Sequence, residues 1–202
     1  MNGIEGNLAL AEGSAAPLVR ERRWERLDGK PVLMAPPAAN HHFICQNIYR
    51  IFANFLTGKP CRAIMDGMMV YLSEKDHFIP DMMVVCDRDK ITRNGIYGAP
   101  DLVVEVLSHS TRKRDLGYKK AVYERAGVRE YWIVHPEGQA LEQYLLRDGT
   151  FFLAEAPGMY DEEDLEMDML LPEERADMKM SFSCGIFPDL EISLDDIFYD
   201  LI

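Results

Sequence analysis

The chain has 202 residues, 48% of them hydrophobic, which suits one domain with a real core and an ordinary globular composition. No apolar run is long enough to span a membrane, and residues 1–13 carry acids without a long apolar stretch, which argues against a signal peptide. The formal net charge of −12 argues against tight, indiscriminate binding to nucleic acid, because that binding is carried by an excess of Lys and Arg.

In chain order, residues 1–19 read as a loose, flexible leader of small and polar residues ahead of a single domain, 20–202. Trp24 to Leu27 and Pro31 to Met34 flank Asp28-Gly29, a strong hairpin signal. After Pro36-Pro37, Asn40 is placed to cap a helix with apolar positions Phe43, Ile44, Ile48, Ile51, Phe52, Phe55 and Leu56, stopped at Gly58. His41 and His42 fall in its first turn. They read as surface or cap-region residues, since no partner histidine has ligand spacing. Arg62 to Leu72 and Phe78 to Cys86 read as strands, and the polar stretch Asp87 to Ala99 as a loop.

Leu102 to Leu107 is apolar on both faces except at Glu105, the pattern of a central strand covered on both sides. An ionised carboxylate there costs several kcal/mol unless a metal, a cation or water pairs with it. Strand curvature that carries Glu105 to solvent is the bland alternative. A helix follows, with Asp115 as its expected N-cap and Gly127 as its stop. Leu116, Val122, Tyr123 and Ala126 share one arc, and Lys119 lies in the middle of it. A lysine there either snorkels to water or faces a buried anion, and Glu105 on the preceding strand is such an anion.

Glu130 to Val134 reads as a further strand, and Leu141 to Leu146 with Thr150 to Ala154 as a hairpin around Asp148-Gly149. Residues 159–180 form an acidic insert. Phe182 to Ile186 is a short extended segment, and Ser193 caps a last turn with Leu194, Ile197 and Phe198 inward. The charge is uneven: up to Gly158 the 20 basic and 20 acidic residues cancel. Basic residues cluster at Arg112, Lys113, Arg114, Lys119 and Lys120, beside the proposed site. Cys45, Cys61, Cys86 and Cys184 show no metal-knuckle spacing, which points to reduced thiols in a cytoplasmic protein.

The elements together imply a mixed α/β (α+β) sheet with flanking helices. Pro80-Asp81 followed by Glu105 on the next buried strand resembles the PD-(D/E)XK nuclease superfamily. Closer still, the chain resembles the Uma family of restriction endonucleases within it. The segments that carry the likeness are ERLDG at Glu25 to Gly29, the NHHFI helix start, IPDMMVV, APDLVVEVLS, STRKRDLGYKK, the AGVREYWIV strand and the terminal FPDLEISLDDIF. The resemblance implies a restriction-endonuclease-like fold and cleavage of DNA dependent on Mg²⁺, with Mn²⁺ as a substitute. Asp81 and Glu105 match the metal carboxylates. The superfamily lysine two residues after the acid is Leu107 here, and Lys119 in the following helix matches the Uma pattern instead. Glu25 and His41 match further family positions. His109 and His135 replace the proline and aspartate usual there.

The chemistry of these residue types agrees. Mg²⁺ prefers hard oxygen ligands, and a lysine alongside can offset charge that builds on the phosphorane. Asp101 is expected to serve as a turn residue or second ligand, and Arg112, Lys113 and Arg114 to hold DNA phosphates. A homodimer is compatible with cutting two strands. Two rival readings remain: an inactive binding or interaction module of the same fold, and a structural dimer in which Glu105 and Lys119 merely neutralise each other.

Overall fold

The computed structural model describes residues 23–65, 67–159 and 180–202. The leader at 1–19 and all but the two ends of the acidic insert lie outside them. The first hairpin forms as expected: β1 (Trp24–Leu27) and β2 (Lys30–Leu33) pair antiparallel. Asp28 and Gly29 turn the chain with φ of 48° and 77°, the left-handed conformations that an Asp-Gly turn supplies at little strain. Helix α1 (Ala39–Phe55) is capped by Ala38, not by Asn40. Asn40 instead clasps the C-terminal residue, donating through Nδ2 to the Ile202 carbonyl at 2.6 Å and accepting from its amide at 2.9 Å.

Two expected strands are each divided. The stretch 62–72 gives β3 (Arg62–Met65) and β4 (Val70–Tyr71), and the stretch 78–86 gives β5 (His77–Phe78) and β6 (Met82–Val85). Pro80 separates the latter pair because it brings no N–H to a ladder. The stretch read as a loop, 87–99, carries a small hairpin, β7 (Ile91–Thr92) and β8 (Gly95–Tyr97). Next come β9 (Leu102–Val106), a π-helical stretch Arg114–Lys119, and α2 (Lys120–Ala126), which stops at Gly127 with φ of 87°. Asp115 does not cap this helix. Helical backbone already begins at Arg112, so Asp115 sits inside it. The rest of the described chain is β10 (Glu130–His135), β11 (Ala140–Arg147), β12 (Thr150–Glu155), β13 (Ser181–Ser183), β14 (Glu191–Ser193) and α3 (Leu194–Ile197). Ser193 caps α3 by accepting from the Asp195 amide at 3.2 Å.

The central sheet has the order β12-β11-β10-β9-β6-β3, with β9 and β10 parallel and the other pairs antiparallel. A second sheet has the order β2-β1-β5-β4-β8-β7. Because side chains alternate along a strand, β9 serves two cores. Leu102, Val104 and Val106 face α1 and the C-terminal segment, with Phe52 and Trp132 in ring contact at 5.4 Å. Val103 and Leu107 face α2 and the second sheet, where Tyr123 meets Phe78 edge to face at 5.4 Å and Tyr131 at a tilt at 5.2 Å. The helices thus cover β9 on both sides, which explains its unbroken apolar sequence. Among the described residues no helix is long and apolar enough to cross a membrane.

The cysteines depart from the expectation of four reduced thiols. β3 and β6 pair Arg62 with Val85, and one further step in that register brings Cys61 against Cys86, which are joined as a disulfide. They stand 25 positions apart in the sequence, so no short spacing motif advertises the pair.

A fully buried Glu130 fastens the C-terminal segment to the sheet. Its carboxylate accepts from Trp132 Nε1 at 2.7 Å, Gln143 Nε2 at 2.6 Å, and the Gly185 and Ile186 amides at 3.1 and 2.8 Å. Glu130→Gln keeps the shape but turns a donor toward these donors. The expected result is a loss of about 2 kcal/mol in urea unfolding, the usual cost of stranding buried polar groups. A midpoint unchanged within error would rule out this fastening role.

Candidate active site

The site is built where β9 ends. β6 and β9 pair Met82 with Val104 and Met83 with Val103, and Asp81 stands immediately before β6. The Asp81 carboxylate is fixed to β9 itself, its Oδ2 accepting from the Val106 amide at 2.7 Å. The same oxygen lies 3.3 Å from His41 Nε2 on the first turn of α1. Asp81 and His41 keep partial exposure, 16% and 14% of their side chains.

Glu105 points to the opposite face of the sheet from α1, toward α2. Its Oε1 accepts from Lys119 Nζ at 3.0 Å and from the Tyr123 hydroxyl at 2.7 Å. Lys119 is therefore inward and paired, as expected from its place on the helix arc. It has two more carboxylate neighbours: Glu25 Oε1 at 2.9 Å and Asp115 Oδ1 at 3.5 Å. Glu25 comes from β1, and its Oε1 also accepts from the Ile79 amide at 2.9 Å. Glu25, Glu105, Asp115 and Lys119 are all buried.

The local backbone explains how Lys119 and Asp115 come to face inward together. They stand four residues apart in the π-helical stretch, a spacing that puts both side chains on one face. Asp76 pins that stretch to the β1–β2 turn. Its Oδ1 accepts from the Tyr118 hydroxyl at 2.7 Å and from the Asp28 amide at 3.0 Å. Burial, together with the Asp76 carboxylate beside it, pushes the Tyr118 phenol up to about 12.

Three carboxylates surround one ammonium. Burial is the chief cause that holds Glu105 well above the usual carboxylate range; Lys119 opposes it, and Asp115, Asp81 and Glu25 add to it. Asp115 is raised for the same first reason, with Lys119 again opposing. For Lys119, burial disfavours the charge, but Glu105, Glu25 and Asp115 outweigh it and hold the ammonium above its ordinary value. Lys119 is therefore held as the cation of the cluster, while burial works against the charged forms of Glu105 and Asp115. Asp115 Oδ1 has no hydrogen-bond partner among the described residues, but it lies 3.5 Å from the Lys119 ammonium, which faces it as an ion-pair partner.

The remaining expected residues lie apart from this cluster. Asp101, at the start of β9, accepts from the Cys86 amide at 2.8 Å and pairs with Arg129 at 3.3 Å, a tie between strand ends. Arg112 and Lys113 are exposed just beyond the end of β9, while Arg114 is half-buried. Two contributors escape the sequence reading. Asp115 looks like a cap, although its place four residues before an inward lysine is the signal that it shares that face. Tyr123 looks like simple core, although its hydroxyl fixes Glu105.

Comparison with known proteins agrees with this architecture. A solved structure from Anabaena variabilis, titled as a putative nuclease belonging to DUF820, superposes with a TM-score of 0.61 over 87% of this chain and 89% of that one, at 18% identity; the likeness is one of fold. Two Synechocystis proteins are similar in sequence. One, slr1290, is 29% identical over 64% of this chain and 69% of its own length. The other, sll1609, is 26% identical over 66% of this chain and 78% of its own length. The Uma2 family model, described as "Putative restriction endonuclease", matches residues 12–178, and the chain belongs to that family.

Proposed function

We propose that the chain is a metal-dependent endonuclease that hydrolyses phosphodiester bonds in DNA, with Asp81 and Glu105 holding Mg²⁺ or Mn²⁺ and Lys119 acting beside them. The observation that supports this reading is that Asp81 is tied to the end of β9, its Oδ2 accepting from the Val106 amide at 2.7 Å, one residue from Glu105, whose Oε1 lies 3.0 Å from Lys119 Nζ. The donor set suits a hard divalent ion, which takes carboxylate oxygens and keeps several waters. When bound, such an ion supplies a Lewis acid for the phosphoryl group.

The chain's own residues then have separable tasks. Tyr123 and Lys119 both engage Glu105 Oε1, which holds the carboxylate in one rotamer. Lys119 keeps its proton, so it serves as an electrostatic partner for charge that develops on the phosphorane and not as the base. Arg112 and Lys113, exposed beyond β9, are positioned to hold flanking phosphates. The balanced charge of the body makes DNA binding weak and strongly salt-dependent. A homodimer would bring two such sites to the two strands.

Near-complete burial of Glu25, Glu105, Asp115 and Lys119, at 1–3% exposure, favours a second reading: a structural charge cluster in a protein of this fold that binds but does not cut. Supercoiled plasmid with Mg²⁺ or Mn²⁺ separates the two. Nicking by the native protein well above that of Glu105→Ala is the expected result. Equal rates across supercoiled, linear and single-stranded DNA would leave the structural reading.

A further inference from the structure

We propose that His41, Cys45 and Asp81 form a binding site for a thiophilic divalent cation, Zn²⁺ first among them, and that its occupation withdraws Asp81 from the hard-metal site. The second half of this proposal rests on the nuclease reading; the binding itself does not. His41 and Cys45 stand four residues apart on α1, the spacing that lets one helix face present two ligands. Cys45 Sγ lies 3.7 Å from His41 Nδ1, and His41 Nε2 lies 3.3 Å from Asp81 Oδ2.

One ligand atom from each of the three side chains falls within 4.8 Å of the others. Bond lengths of about 2.0–2.3 Å around a tetrahedral ion set ligands roughly 3.3–3.8 Å apart. The two contacts at 3.7 and 3.3 Å already lie in that range. The thiol and the carboxylate face different ring nitrogens, so capture needs one rotation of the imidazole or of the Cys45 side chain. Asp81 is already anchored by the Val106 amide.

The ligand chemistry selects the ion. Thiolate and imidazole favour Zn²⁺, Co²⁺ and their neighbours, whereas Mg²⁺ binds neither well. Burial selects the geometry. Cys45 is 3% exposed among the apolar residues of α1, while His41 and Asp81 reach partial exposure. Three protein ligands with an open fourth position on the His41–Asp81 side follow from that placement. Competition follows too, because Asp81 is the one carboxylate that both sites need.

Co²⁺ titration of the full-length protein tests the binding directly. A near-ultraviolet thiolate-to-cobalt absorption band should grow to one equivalent, vanish when Zn²⁺ is added, and resist excess Mg²⁺. The band should be lost in Cys45→Ala and kept in Cys184→Ser. Affinity should fall at least about tenfold in His41→Gln, which serves if Cys45→Ala does not fold. No band, or a band that survives Cys45→Ala or is displaced by equimolar Mg²⁺, overturns the site. In Mg²⁺-driven plasmid nicking, Zn²⁺ should inhibit the native protein at lower concentration than it inhibits Cys45→Ala, and equal inhibition overturns the competition. A cobalt band without nicking in any metal would sink the nuclease reading and leave the site standing, whereas nicking without a band would do the reverse.

Discussion

Replacing Lys119 by methionine is expected to lower stability by about 3–5 kcal/mol near neutral pH, since removing one partner of a buried charge cluster strands the others. Methionine fills a similar volume, so the loss reports charge and not a cavity. The stranded groups are Glu25, Glu105 and Asp115, which lie 2.9, 3.0 and 3.5 Å from the lost ammonium. The pH dependence has a definite sign. Glu105 and Asp115 are already raised by burial with Lys119 opposing, and the variant removes that opposition. A carboxylate whose folded-state pKa exceeds its unfolded value is fully tolerated when protonated, below the unfolded value, and destabilises as pH rises through the folded value. The deficit relative to the native protein should therefore shrink at about pH 5 and be greatest at about pH 8. Urea melts at the two pH values measure it. A deficit that is constant with pH would mean that the carboxylates do not depend on Lys119 for their charge.

The legible parts of this chain are those in which a local rule and the tertiary outcome coincide. Asp28-Gly29 and Asp148-Gly149 specify tight turns whatever surrounds them, and both hairpins form with the expected strands. Glu105 in an apolar strand and Lys119 on an apolar helix face each violate burial rules alone, and each violation is resolved by the other. The illegible parts depend on distant register. Cys61 meets Cys86 only because antiparallel pairing of β3 with β6 aligns residues 25 positions apart. His41 was weighed against histidine partners, but its neighbours are a cysteine one turn along and an aspartate from another strand. Asp115 was misread because a good capping residue and a buried acid are the same residue type, and the π-helical path that decides between them has no sequence signature comparable to a cap box.

Glu105→Gln should separate chemistry from structure. The amide keeps an Oε1 that can accept from Lys119 and from Tyr123, so the two hydrogen bonds at 3.0 and 2.7 Å have a replacement acceptor. Loss of a buried negative charge removes a desolvation penalty, while Lys119 retains Glu25 and Asp115 as partners. Stability is therefore expected to change by no more than about 1–2 kcal/mol. Cleavage should nonetheless fall by roughly 10²–10³-fold, the scale for removing one preorganised electrostatic contributor, and metal affinity by calorimetry should fall with it. A structural charge cluster predicts the opposite pairing, in which any activity tracks stability. Retained nicking in a folded Glu105→Gln protein would exclude Glu105 as a metal ligand, since an amide cannot replace the carboxylate charge that a hard divalent ion requires.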